Sequence, residues 1–198
     1  MPEIIFLMGK SASGKDKIRR QLEADEQLAL HPVVIYTTRP MRQDERQGID
    51  YHFVSDEQAA ELFASGRLIE KRTYETIQGP WHYFSMDDGQ IVADGRTRYL
   101  AVGTLESYRA FVRYFGREHV YPVLISSRDD VRLLRAIHRE QKQENPDYQE
   151  VCRRFLADSE DFSEENVRRA GITKQFENNG DLEDCVEEIR KAILENTP

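Results

Sequence analysis

The sequence lacks features that mark several large classes of protein. Only two of its 198 residues are cysteine, Cys152 and Cys185, and they have no metal-ligand spacing. We therefore expect neither a disulfide scaffold nor a zinc cluster. The two cysteines are expected to be free thiols in a reducing compartment. No apolar run approaches the ~20 residues of a membrane-spanning helix. No signal peptide opens the chain either, because Glu3 and a glycine-rich loop follow at once. We therefore expect a cytoplasmic protein with no membrane partner.

The sequence also has fewer basic than acidic residues. Lysine and arginine together number 28 against 36 acidic residues, which gives a net charge of −8. General nucleic-acid binding requires a basic footprint, so no nucleic-acid partner is expected. Arginine nevertheless outnumbers lysine by 21 to 7. Because a guanidinium pairs with two phosphate oxygens at once, this bias suits a phosphate-rich site. The alternative is a compositional habit of the source organism.

The first sixteen residues contain the strongest motif. Five apolar residues, Ile4 to Met8, precede a G-x-x-x-x-G-K sequence that ends at Lys15, and an amphipathic pattern follows. Strand, glycine loop and helix are the context in which such a loop holds phosphate groups through its backbone amides and its lysine. A flexible loop that merely caps a helix is the alternative. The residues expected to bind the donor phosphates are Gly9, Lys10, Ser11, Ala12, Ser13, Gly14, Lys15 and Asp16.

The remaining pattern alternates strands and helices, with one interruption. Predicted core strands cover 3–8, 32–36, 98–103, 120–125 and 173–177, with helices over 15–25, 105–115, 129–170 and 181–195. This alternation predicts an α/β fold, a parallel sheet with helices on both faces. Residues 37–90 have a different texture, rich in arginine, glycine and aromatic residues, with one small helix near 56–65. They predict an inserted β-rich subdomain.

A second motif resembles a known family. Residues 37–54 read TTRPMRQDERQGIDYHFV, which closely resembles the guanylate kinase signature in its residues and their spacing. The resemblance implies a P-loop three-layer α/β fold with a parallel central sheet, an inserted subdomain that binds the nucleoside monophosphate (NMP), and a helical lid. It implies one domain over 1–198. The core would comprise 1–36, 92–127 and 171–198, the NMP-binding subdomain 37–91, and the lid region 128–170.

The resemblance also assigns an acceptor site, and the chemistry of the residues agrees. Two guanidinium groups and a phenol can surround one phosphate, so Arg39, Arg42 and Tyr51 are expected on the GMP phosphate, with Glu45 orienting the arginines. A carboxylate can accept both N–H groups of guanine, which is the role implied for Glu70. The alternatives are a solvated surface loop and an exposed strand glutamate.

Residues 81–85 resemble the family's Tyr-x-Ser, although the segment before them is about four residues longer than the usual spacing. The resemblance places Tyr83 on the GMP phosphate and Ser85 on the guanine carbonyl. Trp81 and Phe84 are expected in the subdomain core.

Arginines in the lid region complete the expected catalytic set. The family's R-x-x-x-R pattern and its later arginine match Arg135, Arg139 and Arg154, with Asn145-Pro146 as a turn between helices. Together with Lys15 they would stabilise the transferring phosphoryl group when the lid closes. A solvated helix face is the alternative. Asn178, after the last predicted strand, is expected near the adenine.

The sequence departs from the family at the expected metal site. Guanylate kinases commonly carry Asp-x-Asp after the inserted subdomain, but residues 100–106 contain no aspartate, and Asp16 replaces the usual P-loop hydroxyl. Asp16 is expected to supply a carboxylate near Mg²⁺, the implied cofactor, because Mg²⁺ prefers hard oxygen ligands. The alternative is that Asp16 repels the triphosphate. Thr104 is expected to take over part of the guanine contact.

The resemblance implies Mg²⁺-dependent phosphoryl transfer from ATP to GMP, by a monomer or a homodimer. Two alternatives share the fold. One is a ribose 1,5-bisphosphate kinase-like enzyme, which would not need Glu70 or Ser85. The other is a non-catalytic guanylate-kinase-like binding module, which the lost Asp-x-Asp favours and the intact P-loop opposes.

Overall fold

The protein is built around a parallel five-stranded sheet. The computed structural model describes residues 4–42, 45–76, 79–92 and 94–196, so the predicted strand residue Glu3 lies outside the described part. The sheet has the order β2-β7-β1-β8-β9, and all its strand pairs are parallel. Its strands are β1 (Ile4–Gly9), β2 (Leu30–Pro32), β7 (Arg98–Gly103), β8 (Val120–Ser126) and β9 (Gln175–Glu177).

Helices cover both faces of this sheet. The α-helices of the described residues are α1 (Lys15–Ala24), α2 (Asp56–Ala64), α3 (Leu105–Phe115), α4 (Asp129–Glu140), α5 (Tyr148–Asp161), α6 (Glu164–Arg169) and α7 (Leu182–Glu195). Of these, α2 packs against the second sheet described below. Successive side chains of β1 point to opposite faces, because a strand has a period of two. Phe6 packs in a cluster that contains Phe111 of α3, whereas Leu7 packs in a second cluster with Ile18 of α1 and Ile189 of α7. The result is the three-layer α/β fold that the sequence predicts.

A second, smaller sheet lies in the segment predicted as an inserted subdomain. Its strands, in the order β4-β3-β6-β5, are β3 (Tyr36–Thr37), β4 (His52–Phe53), β5 (Leu68–Thr76) and β6 (Gly79–Met86). One face packs Phe84 and Met86 against Ala59 of α2. Alternation therefore turns Tyr83 and Ser85 to the other face, which is polar.

Two boundaries differ from the prediction. The second core strand was predicted over 32–36, but β2 ends at Pro32, residues 33–35 are irregular, and Tyr36 begins β3 of the second sheet. The apolar run thus crosses from one sheet to the other, which an apolar pattern alone does not reveal. The long charged helical region divides over 141–147, which includes the predicted Asn145-Pro146 turn. It divides again before α6, where Ser163 caps the new helix by accepting from the Asn166 amide.

The two cysteines lie in helices and are both free, one exposed and one buried. Burial raises the pKa of the Cys185 thiol to about 11, whereas Cys152 lies exposed on α5. Since the thiolate is the reactive form, we expect iodoacetamide to modify only Cys152 in the native protein at pH 8. Mass spectrometry checks this, with the urea-unfolded protein, which should take two labels, as the control. Rapid double labelling of the native protein would contradict the burial of Cys185.

Within the described residues, no helix is both long enough and apolar enough to cross a membrane.

Candidate active site

Two glycines shape the loop between β1 and α1. A Cβ on Gly9 would lie 2.7 Å from the Ile125 carbonyl oxygen of the neighbouring strand β8, so only glycine fits there. Gly14 has a φ of 92°, and a Cβ on it would lie 2.2 Å from Asn178 Nδ2. The loop is therefore held close to the sheet at both ends, with backbone amides at the start of α1 where an anion is stabilised.

Lys15 stands at the centre of the site. Its Nζ donates to the Gly9 carbonyl oxygen at 3.0 Å, across the loop. Burial lowers the pKa of Lys15, and the nearby carboxylates of Asp16 and Asp158 partly offset that effect. Arg139 of α4 and Arg72 of β5 lower it further. One ammonium group is thus within electrostatic range of the loop, the second sheet and the helices of the predicted lid region.

The Asn178 side chain is hydrogen-bonded to the loop between β1 and α1. Its Nδ2 donates to the Ser13 carbonyl oxygen at 2.7 Å, and the backbone carbonyl oxygen of Asn178 accepts from Arg135 Nη1 at 3.0 Å and from Ser127 Oγ at 2.9 Å. Asn178 is 2% exposed. The structure therefore brings the predicted lid residue Arg135 to the base of the P-loop, and places Asn178 against the loop itself.

The polar face of the second sheet gathers four of the predicted acceptor residues. Arg39, 4% exposed, donates from Nε to Tyr83 Oη at 3.0 Å and from Nη2 to Glu45 Oε1 at 2.7 Å. Its guanidinium carbon lies 5.4 Å from the centre of the Tyr51 ring. The Arg39 hydrogen bond lowers the pKa of Glu45. A buried, oriented guanidinium with two adjacent phenols forms a site suited to a phosphate group.

Glu70 and Ser85 form a second pair on the same face. They are register partners on β5 and β6, and Ser85 Oγ donates to Glu70 Oε1 at 3.1 Å. The Glu70 carboxylate also accepts from Arg72, at 3.1 Å from Nε and 3.4 Å from Nη2. Arg72 was not predicted. Its spacing of two from Glu70 places both side chains on one strand face, which is the signal in the sequence that indicates the pair.

The other predicted residues are more peripheral. The Arg42 side chain is exposed, and its backbone amide donates to Glu45 Oε2 at 2.8 Å. Arg154 is exposed on α5 and pairs with Glu150 at 2.6 Å. Asp16 is exposed on the first turn of α1. The structure therefore does not bring the Arg42 or Arg154 side chains into the contacts described above.

An open cleft of about 610 Å³ lies beside the Glu70–Arg72 pair. Its lining includes Arg72 and Tyr74 of β5, Thr104 at the start of α3, and Arg109. Thr104 caps α3 by accepting from the Ser107 amide at 3.3 Å. The volume lies within the usual range for small-molecule sites.

A parallel α/β sheet, a P-loop and a second sheet with one apolar and one polar face are together typical of P-loop proteins of the nucleoside monophosphate kinase type. The family model for guanylate kinase matches residues 1–79. A guanylate kinase from Porphyromonas gingivalis is 25% identical over 198 residues, which cover 98% of both chains. The chain is therefore similar to guanylate kinases, in its first 79 residues by the family model and over nearly its whole length by this relative.

Two further comparisons agree. A guanylate kinase from Thermosynechococcus vestitus is 32% identical over 123 residues, which cover 60% of this chain and 61% of that relative. The crystal structure of guanylate kinase from Anaplasma phagocytophilum has a TM-score of 0.63 at 20% identity, over 99% of this chain and 86% of that one. The latter likeness bears on the fold alone.

Proposed function

We propose that the protein transfers a phosphoryl group from ATP to GMP, with Mg²⁺ as cofactor. The observation that carries the proposal is the position of Lys15. Its charge environment includes Arg72 from the acceptor face and Arg139 from the lid region, so a donor phosphate on the P-loop would lie near both. Phosphoryl transfer requires this convergence, because catalysis rests on alignment and on positive charge around the transferring group.

Each group has a role in this proposal. The loop amides and Lys15 bind the donor phosphates, and Arg39, Tyr51 and Tyr83 bind the acceptor phosphate. Arg135, Arg139 and Arg154 are expected to add charge as the lid closes, which also excludes water. The Arg154–Glu150 pair would have to open for this, since Arg154 faces solvent in the present arrangement. No covalent intermediate is involved.

The oxygen ligands near the loop fit Mg²⁺ when the ion binds together with a nucleotide. Within the described residues, no group of three or more His, Cys, Asp or Glu side chains forms a metal centre. Mg²⁺ bound with a nucleotide needs only one or two carboxylates, because phosphates and waters supply the other ligands. Asp16, exposed beside Lys15, offers one such carboxylate. When bound, the ion would neutralise charge that develops on the phosphates.

A second candidate acceptor is favoured by the Glu70 contacts. A carboxylate has about four lone-pair positions, and Arg72 and Ser85 already use three of them on Glu70. Guanine needs one position on each oxygen, so it would have to displace an existing donor. A sugar phosphate such as ribose 1,5-bisphosphate presents no such requirement.

A coupled assay with ATP and Mg²⁺ separates these functions. We expect turnover with GMP, and none above background with AMP, UMP or ribose 1,5-bisphosphate. Turnover with the sugar phosphate alone would support the second candidate. A folded protein that uses none of the four acceptors would contradict both and favour a binding module.

A further inference from the structure

A carboxylate from the lid region lies on the P-loop. Asp158 of α5 accepts a hydrogen bond from the Ser11 amide at 2.6 Å, although the two residues are 147 positions apart. It also contributes to the electrostatic environment of Lys15. A loop that presents amides and a lysine to phosphate oxygens here presents them to an oxyanion of the protein itself.

The contact is supported by a buried arginine. Arg132 of α4 is 1% exposed, and its Nη1 lies 3.5 Å from Asp158 Oδ2 and 3.3 Å from the Ser11 carbonyl oxygen. Its guanidinium also lies over the Phe155 ring of α5, at 4.2 Å from the centre. The guanidinium therefore joins α4, α5 and the loop. Arg132 Nη2 is buried and, among the described residues, has no hydrogen-bond partner.

We propose that Asp158 is a donor-site residue that sets nucleotide affinity, by occupying a phosphate-binding position of the P-loop until a donor phosphate displaces it. The Ser11 amide has a single hydrogen, so a close carboxylate and a phosphate oxygen compete for it. Two anions beside Lys15 would also repel each other. Binding of the donor nucleotide then exchanges one anion, the Asp158 carboxylate, for another, a phosphate. The exchange breaks the hydrogen bond between Asp158 of α5 and the Ser11 amide of the loop. This inference depends on the donor half of the proposed function and not on the identity of the acceptor.

The test compares Asp158→Asn with Glu160→Gln by calorimetry of ADP and inorganic pyrophosphate in the absence of Mg²⁺. Asparagine keeps the shape of the side chain and removes its charge. Because a hydrogen bond to a charged group is stronger than one to a neutral group, we expect about 10-fold tighter binding by Asp158→Asn. Glu160 is exposed on the same helix, so its variant loses the same charge and should bind within about 2-fold of wild type.

Three results would overturn the inference: unchanged or weaker binding by Asp158→Asn, equal tightening by both variants, or no pyrophosphate binding by any of the proteins. Repeating the titration with Mg²⁺ tests a metal-ligand role, in which Asp158→Asn would weaken binding only with the ion present. A readout that does not depend on affinity is the amide resonance of Ser11, which should shift upfield in folded Asp158→Asn as the charge-assisted bond is lost. Absence of that shift would also count against the contact. Acceptor turnover, measured separately, shows whether the proposed function itself fails.

Discussion

Replacing Lys15 with methionine is expected to reduce kcat by about 10³-fold, with a smaller loss of ATP affinity. Methionine preserves much of the apolar stem but removes the charge that lies near the loop, Arg72 of the second sheet and Arg139 of α4. Lys15 Nζ lies across the loop, 3.0 Å from the Gly9 carbonyl oxygen, so the loop itself positions the ammonium group. The Lys15 ammonium would therefore stabilise the charge that develops in the transition state without a costly rearrangement. Steady-state kinetics with saturating acceptor measures kcat, and calorimetry measures ATP affinity.

Lys17→Met provides the matched control. Lys17 lies two residues further along α1 and is exposed, so its variant removes the same charge from the same helix outside the loop. We expect its kcat to stay within about 2-fold of wild type. Thermal unfolding should show that both variants fold. If Lys15→Met retained most of the wild-type kcat, the P-loop would not be the site of phosphoryl transfer.

Local motifs were enough to predict the glycine loop between β1 and α1 and the layers around it. The apolar run of β1 and the glycines that follow it are contiguous, and their meaning depends on backbone geometry within a few residues. The signature that contains Arg39, Glu45 and Tyr51 is also local, and the structure brings these three side chains together. Each of these features can be recognised without knowing which distant segments pack together.

The features that sequence reasoning missed depend on long-range packing. Asp158 reaches Ser11 only because α5 packs across the loop, and nothing around Asp158 in the chain indicates that contact. The Asn178 contacts with the loop and with Arg135 also need the tertiary fold. Arg132 lies one turn before Arg135 on α4, but the structure buries it beside Asp158 and Ser11. One arginine pattern therefore contains both buried and exposed members.

The contacts of Glu70 with Arg72 and Ser85 affect how Glu70 would bind a guanine base. Glu70 is not an empty acceptor, because Arg72 and Ser85 already donate to both of its oxygens. The 3.4 Å contact from Arg72 Nη2 is the longest of the three, so it is the one that guanine would displace at least cost. The base would then be selected by its ability to offer two adjacent donors in exchange. A base that offers one donor recovers less of the cost of that exchange.

Glu70→Gln is therefore expected to lower kcat/KM for GMP by about 10²-fold or more, while ATP affinity stays within about 2-fold. Glutamine has nearly the same shape, but it places an N–H donor where guanine also offers donors. The selectivity for GMP over IMP should narrow as well, because IMP lacks the 2-amino group that needs the second oxygen. Steady-state kinetics with both acceptors measures these changes. Glu75→Gln, at an exposed position further along β5, is the matched control and should behave like wild type. Equal losses of GMP use and ATP binding would mean that Glu70 supports the fold, whereas unchanged GMP use would remove it from base recognition and favour an acceptor without a base.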